Sequence, residues 1–197
     1  MTRIAVLIGS TRPGRRGVTV ADWVAKAAAE HAAVAAGEVE IDVIDLADHS
    51  LPLLDEPVPA LAADYRHEHT RNWAEVIGSY DGFVFVTPEY NHSFPAALKN
   101  AIDYLFAEWN DKAAGFVSYG AHGGIRAVEQ LRPVLAEVKL ATVRTQVFFS
   151  MAGDIELFTD PDAWTASSYQ VENLSAMLDE LIAWSAALKP LRAKAAA

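Results

Sequence analysis

The chain has 197 residues, 52% of them hydrophobic, and no Ser/Pro/Gly-rich linker interrupts it, so a single domain over residues 1–190 is expected. A formal charge of −10 excludes a nucleic-acid backbone or an anionic membrane as partner, because both select a basic surface, and leaves a small molecule. There is no cysteine, hence no disulfide framework, no thiolate metal site and no cysteine nucleophile. A cytoplasmic protein is the expectation, since the apolar start is too short for a secretory signal and no run is long enough to span a bilayer.

Residues 4–8 form a short, continuous apolar run, the pattern of a strand covered on both faces. After the loop at 9–17, Val18, Val20, Trp23, Val24, Ala27 and Ala28 recur at helical spacing to about residue 36, where Gly37 is a stop signal. Residues 39–44 read as a second strand, 51–59 as a proline-rich connection and 64–79 as a helix. A third strand at 82–86 leads through a polar loop to a helix at 95–106. A short strand about Phe116-Val117, a helix at 124–138 and a strand at 143–149 follow. Pro133 should kink or split its helix, because it removes an intrahelical bond. The stretch 154–162 reads as an acidic surface connection, 167–188 as an amphipathic helix, and 191–197, past Pro190, as a flexible tail. Strands alternating with helices imply a parallel sheet with helices on both faces, joined by right-handed crossovers.

In such sheets ligands lie beyond the carboxyl ends of the strands, and three loops there are chemically distinctive. The first, GSTRPGRRG at 9–17, joins small residues to Arg12, Arg15 and Arg16 ahead of a helix N-terminus, a combination suited to a phosphate. The same residues also suit a solvated turn with surface arginines. The loop is not a Walker A motif, because Arg15 and Arg16 occupy the Lys and Ser/Thr positions, and it lacks the G-x-G-x-x-G dinucleotide fingerprint. The second loop offers Pro88, Glu89, Tyr90 and Asn91, with Ser93 and Pro95 placed to cap and open the next helix. In the third loop, Ser118 and Gly120 precede Gly123 and Gly124, where a planar heterocycle can approach bare amides. His67 and His69, two apart in an expected helix, do not share a face, so no metal site is assigned. Asp42, Asp45 and Asp48 read as a solvated loop.

Taken together, G-S-T-R-x-G-R at 9–15, T-P-E-Y-N at 87–91 with A-L-K-N-A-I-D-Y-L at 97–105, and S-Y-G-x-x-G-G at 118–124 resemble the NADPH-dependent FMN reductase family. The resemblance runs through nearly the whole chain in order. It implies a flavodoxin-like three-layer α/β/α fold with a five-stranded parallel sheet of order 2-1-3-4-5. It implies FMN as cofactor and NADPH or NADH as co-substrate, with a small acceptor such as free flavin, a quinone, an azo compound or a metal oxyanion. It places Ser10, Arg12, Arg15, Arg16, Gly17 and Val18 about the FMN phosphate and Pro88, Glu89, Tyr90 and Asn91 along the ring. Ser118, Tyr119, Gly120, Gly123 and Gly124 would face the pyrimidine edge. No side chain is assigned as catalytic acid or base, since the cofactor carries the chemistry. The family also implies a homodimer or a dimer of dimers. An electron-transfer flavodoxin working with protein redox partners is the rival reading, and the three arginines of the first loop count against it.

Overall fold

The computed structural model describes residues 1–195. Five strands, β1 (Thr2–Ile8), β2 (Val39–Asp45), β3 (Gly82–Pro88), β4 (Lys112–Gly120) and β5 (Leu140–Ser150), form one parallel sheet in the order β2-β1-β3-β4-β5. The flavodoxin-like sheet order expected from the sequence is the one found. Around it lie α1 (Gly17–Ala29), α2 (Ala32–Ala35), α3 (Glu68–Gly78), α4 (Ala96–Asp103), α5 (Ile125–Glu137), α6 (Ile155–Thr159) and α7 (Ser168–Ala195).

Strand alternation divides the core into two layers. Ala5, Leu7, Phe83, Phe85, Ala114 and Phe116 face α3, α4 and α5, while Ile4, Val6, Val84, Val86 and Val117 face α1 and α7. The first layer is aromatic, with Trp73 and Trp109 fully buried and Trp73 Nε1 donating to the Ala101 carbonyl at 2.8 Å, which pins α3 to α4. The second is β-branched and thin. At Gly115, beside a register shift between β4 and β5, a Cβ would stand 2.9 Å from Met177 Sδ, so the Met177 side chain of α7 fills the space that a side chain there would take.

Several elements differ from the sequence expectation. Strand β4 begins at Lys112, three residues ahead of the glycine before Phe116-Val117, and its start is carried by alanines of low strand propensity. The helix expected to run to residue 36 breaks after Ala29, and His31 starts α2 by accepting the Ala33 amide at its ring Nδ1. Helix α5 passes through Pro133 without splitting. Residues 155–159 of the expected acidic connection are helix α6. Residues 191–195, expected as a tail, continue α7 beyond Pro190, and the reason is tertiary: Lys189 and Arg192 both pair with Asp81 ahead of β3. Residues 196–197 of that tail lie outside the described residues. Among the described residues no helix is long and apolar enough to cross a membrane.

Candidate functional site

The order 2-1-3 makes the carboxyl ends of β1 and β3 a switch point, where the chain leaves for opposite sides of the sheet. Gly9 begins the first loop there, its amide donating to the Val86 carbonyl at 2.9 Å, and a Cβ at Gly9 would stand 2.8 Å from Leu98 Cδ2. Ser10 is fully buried, and its Oγ meets Tyr90 Oη of the second loop at 2.8 Å. The Arg12 guanidinium lies 5.6 Å from the centre of the Tyr90 ring, so the first two loops touch through both residues.

The three arginines of the first loop divide their work. Arg15 pairs with Asp45 at the end of β2, and Arg16 donates to the Phe158 carbonyl in α6 at 2.7 Å. Arg12 has no carboxylate partner among the described residues and is exposed. Helix α1 then starts on Arg16 with no side-chain cap and no acidic residue in its first turn. Its amides and the positive end of its dipole are therefore available to an anion. Gly17 is closely packed, since a Cβ there would stand 3.0 Å from both Ile8 Cγ2 and Tyr119 Oη.

Tyr119 thus points away from the third loop, to which the sequence assigned it, and reaches beneath the start of α1. Burial pushes its hydroxyl above the ordinary tyrosine range, with Tyr90 adding to the rise and Arg12 and Arg15 opposing it. Ser118 is also buried, and it donates to the Gly123 carbonyl at 2.6 Å, which fixes the third loop from inside. Gly120, Gly123 and Gly124 all take positive φ, and a Cβ at Gly124 would stand 2.9 Å from the Tyr119 backbone nitrogen. The third loop therefore presents backbone, and α5 begins above it with neither cap nor acidic residue.

In the second loop Tyr90 and Ser93 exchange backbone hydrogen bonds of 2.9 and 3.2 Å around Asn91 and His92. Both central residues have left-handed φ, 49° and 75°, as in a type I′ turn. Ser93 closes this turn and does not cap α4, whose N-cap is Pro95. Glu89, expected along the ring, turns its side chain to Arg126 in the first turn of α5 and is only 5% exposed.

Among the described residues, seven buried side-chain polar atoms lack a partner, and four belong to this region: Arg15 Nε, Tyr119 Oη, Glu89 Oε2 and Arg126 Nε. Orphaned buried groups are costly, and their concentration where three loops meet is what an absent polar ligand predicts. Arg126 and Gln130 were not singled out in the sequence, and Asp45, read there as part of a solvated loop, is instead the partner of Arg15. Arg126 carried one signal, a cation in the first helical turn, where the dipole disfavours it unless a partner answers.

His67 and His69 stand elsewhere, and their rings stack at 5.1 Å against expectation, because His67 is the extended residue before α3 and the helical spacing rule does not govern it. Both meet Asp55. Among the described residues no group of three His, Cys, Asp or Glu is arranged to hold a metal ion.

A five-stranded 2-1-3-4-5 sheet whose switch point carries an uncapped, arginine-bearing loop defines a flavodoxin-like α/β protein. Residues 2–154 match the NADPH-dependent FMN reductase family, and the chain belongs to it. An NAD(P)H-dependent FMN reductase of Schizosaccharomyces pombe is 39% identical over 154 residues, 77% of this chain and 74% of that protein. A quinone reductase of Escherichia coli is 32% identical over 171 residues, 81% of each. Among solved structures, FerB, a flavoenzyme NAD(P)H:(acceptor) oxidoreductase from Paracoccus denitrificans, superposes with a TM-score of 0.70 at 22% identity, over 94% of this chain and 97% of that one. Membership makes this chain an FMN-dependent NAD(P)H oxidoreductase, as the resemblance implied.

Proposed function

We propose that the three loops hold FMN, that NAD(P)H delivers a hydride to it, and that the electrons leave to a small acceptor of the quinone or free-flavin class, the classes in the relatives' names. The observation that carries this reading is the start of α1: no side-chain cap, no acidic residue in the first turn, and in the loop before it Arg12 without a carboxylate partner among the described residues. Bound there, FMN supplies the capacity to take two electrons from a hydride donor and return them to an acceptor.

The residues of this chain do the binding and the orienting. Arg12 and the amides of Gly17 and Val18 neutralise the phosphate, and Ser10 and the Tyr119 hydroxyl border it. Arg15 and Arg16 act one step back, holding the loop to Asp45 and to α6. The second loop, Pro88 to Asn91, flanks the ring with Tyr90, and the backbone of Gly120, Gly123 and Gly124 receives its polar edge under the positive end of α5. Those amides stabilise negative charge on the reduced ring without a side-chain acid or base. A homodimer in the cytoplasm belongs to the same proposal.

Anaerobic addition of NADPH to the flavin-loaded protein tests the reading. The yellow absorbance should bleach within turnover time and return when a quinone is added. A protein that stays yellow under NADPH and NADH, yet exchanges electrons with a reduced protein partner, would be an electron-transfer flavodoxin instead.

A further inference from the structure

The second loop is a strained object. Asn91 and His92 are consecutive non-glycine residues with φ of 49° and 75°, a conformation that costs energy at each and persists only where its surroundings over-determine it. The backbone exchange between Tyr90 and Ser93 is internal to the turn and does not fix its place. Two external contacts come from one face of α5. Gln130 Nε2 donates to the His92 carbonyl at 2.6 Å, and Arg126, one turn earlier, pairs with the Glu89 carboxylate. Positions four apart on a helix share a face, so both side chains reach the loop together.

The pair is unequal. Glu89 is 5% exposed and Arg126 is 41% exposed, and Glu89 Oε2 has no hydrogen-bond partner among the described residues. Among the described residues Arg126 is therefore the one cation paired with this buried carboxylate. Removing one member of such a pair leaves an uncompensated charge, which is far more disruptive than neutralising both. The start of the helix behind them is closely packed, since a Cβ at Gly124 would stand 2.9 Å from Ser118 Cβ and from the Tyr119 backbone nitrogen.

From this geometry we infer that Arg126 and Gln130 are positioning residues that brace the Glu89–His92 loop from α5 and so pre-form one wall of the flavin site. The inference rests on the FMN reading for its functional consequence and not for the brace itself. Its effect differs from that of the phosphate loop: a displaced wall weakens every ligand that carries the ring, with or without a phosphate.

The test uses the full chain in flavin-free and flavin-loaded forms. In the flavin-free protein, amide hydrogen exchange at Tyr90 and Ser93 should accelerate about tenfold or more in Arg126→Ala and in Gln130→Ala, while amides of β3 keep wild-type rates. Titration should show FMN and riboflavin weakened alike, by about tenfold or more, in Arg126→Ala. Adding Glu89→Gln should restore most of the loss, because a neutral amide needs no countercharge. A role in which Arg126 contacts the flavin directly would give no such rescue. If Arg126→Ala does not fold, Arg126→Lys should keep flavin affinity within about threefold, since a lysine still compensates Glu89. Wild-type exchange at Tyr90 and Ser93 in Gln130→Ala, or a double variant no better than Arg126→Ala, overturns the brace. Failure of the wild-type protein to bind either flavin overturns the cofactor reading instead, and the exchange measurement still decides the brace.

Discussion

The hydroxyls of Ser10 and Tyr90, eighty residues apart in the chain, meet at 2.8 Å and join the loop after β1 to the loop after β3. Ser10 is fully buried, and its remaining contact is the Arg12 amide at 3.4 Å, so the tyrosine is its main partner. Tyr90→Phe leaves a buried hydroxyl underused. It should destabilise the flavin-free protein by about 1 kcal/mol in urea unfolding, the ordinary net worth of such a bond. Unchanged stability would mean that the contact is made by the two loops and does not hold them.

Arg12→Ala should weaken FMN binding by about 1.5 to 3 kcal/mol, the range for a hydrogen bond to a charged group, and leave riboflavin binding nearly unchanged. The contrast isolates the phosphate. Arg15→Ala should behave differently, because that guanidinium is already paired with Asp45 and its loss loosens the loop for both ligands. Calorimetric titration of the two variants with the two flavins separates these roles, and equal losses for both flavins in Arg12→Ala would remove Arg12 from the phosphate site.

How far these roles were legible in the sequence depends on what fixes them. Backbone demands were visible: Gly123 and Gly124 stand where a left-handed turn feeds a helix, and the apolar runs that became β1 and β3 needed only periodicity. Side-chain directions were not. Arg12, Arg15 and Arg16 are alike in sequence, and only Asp45 and Phe158, at distant positions, assign two of them elsewhere. Tyr119 looked like a wall of the third loop, but strand alternation sends it under α1. The end of α7 failed for a similar reason, since Pro190 signals a stop and the pairs to Asp81 override it.

Two glycines with nearly equal φ should respond unequally to alanine. Gly124 has φ of 70° and its Cβ would meet Ser118 Cβ and the Tyr119 backbone nitrogen, both at 2.9 Å, with no flexible end to give way. Gly37 has φ of 72° and nothing within 4 Å. Gly37→Ala should therefore cost only the left-handed strain, about 1 to 2 kcal/mol, and Gly124→Ala clearly more. Paired denaturant melts check this. Equal losses would show that the clash at Gly124 relaxes freely and that the start of α5 is not closely held.

Lys112 makes stability rise with pH, as a paired carboxylate does, but in a neutral-to-alkaline window where carboxylates no longer titrate. It opens β4 at the end of the sheet away from the loops, is 3% exposed, and donates to the Ile77 carbonyl at 2.8 Å at the close of α3. Burial pushes its pKa from the ordinary 10.5 down to about 7, with Arg192 adding to the fall and Asp81 and Glu108 opposing it. Between those values the unfolded chain binds a proton that the folded chain has released, so stability rises with pH, by up to about 1.4 kcal/mol per unit. Below about 7 the lysine is charged in both states and its contribution is flat. Buried tyrosines act in the other direction above about pH 10, as their raised values delay ionisation in the fold, so the clean window is pH 7 to 9.5. Urea unfolding across that window should show the wild-type protein gaining stability with pH and Lys112→Met losing most of that gain. Lys112→Met also removes a hydrogen bond from the Ile77 carbonyl, so its absolute stability is no guide, and the slope is what decides. An undiminished slope in the variant would mean that Lys112 stays charged in the folded protein throughout.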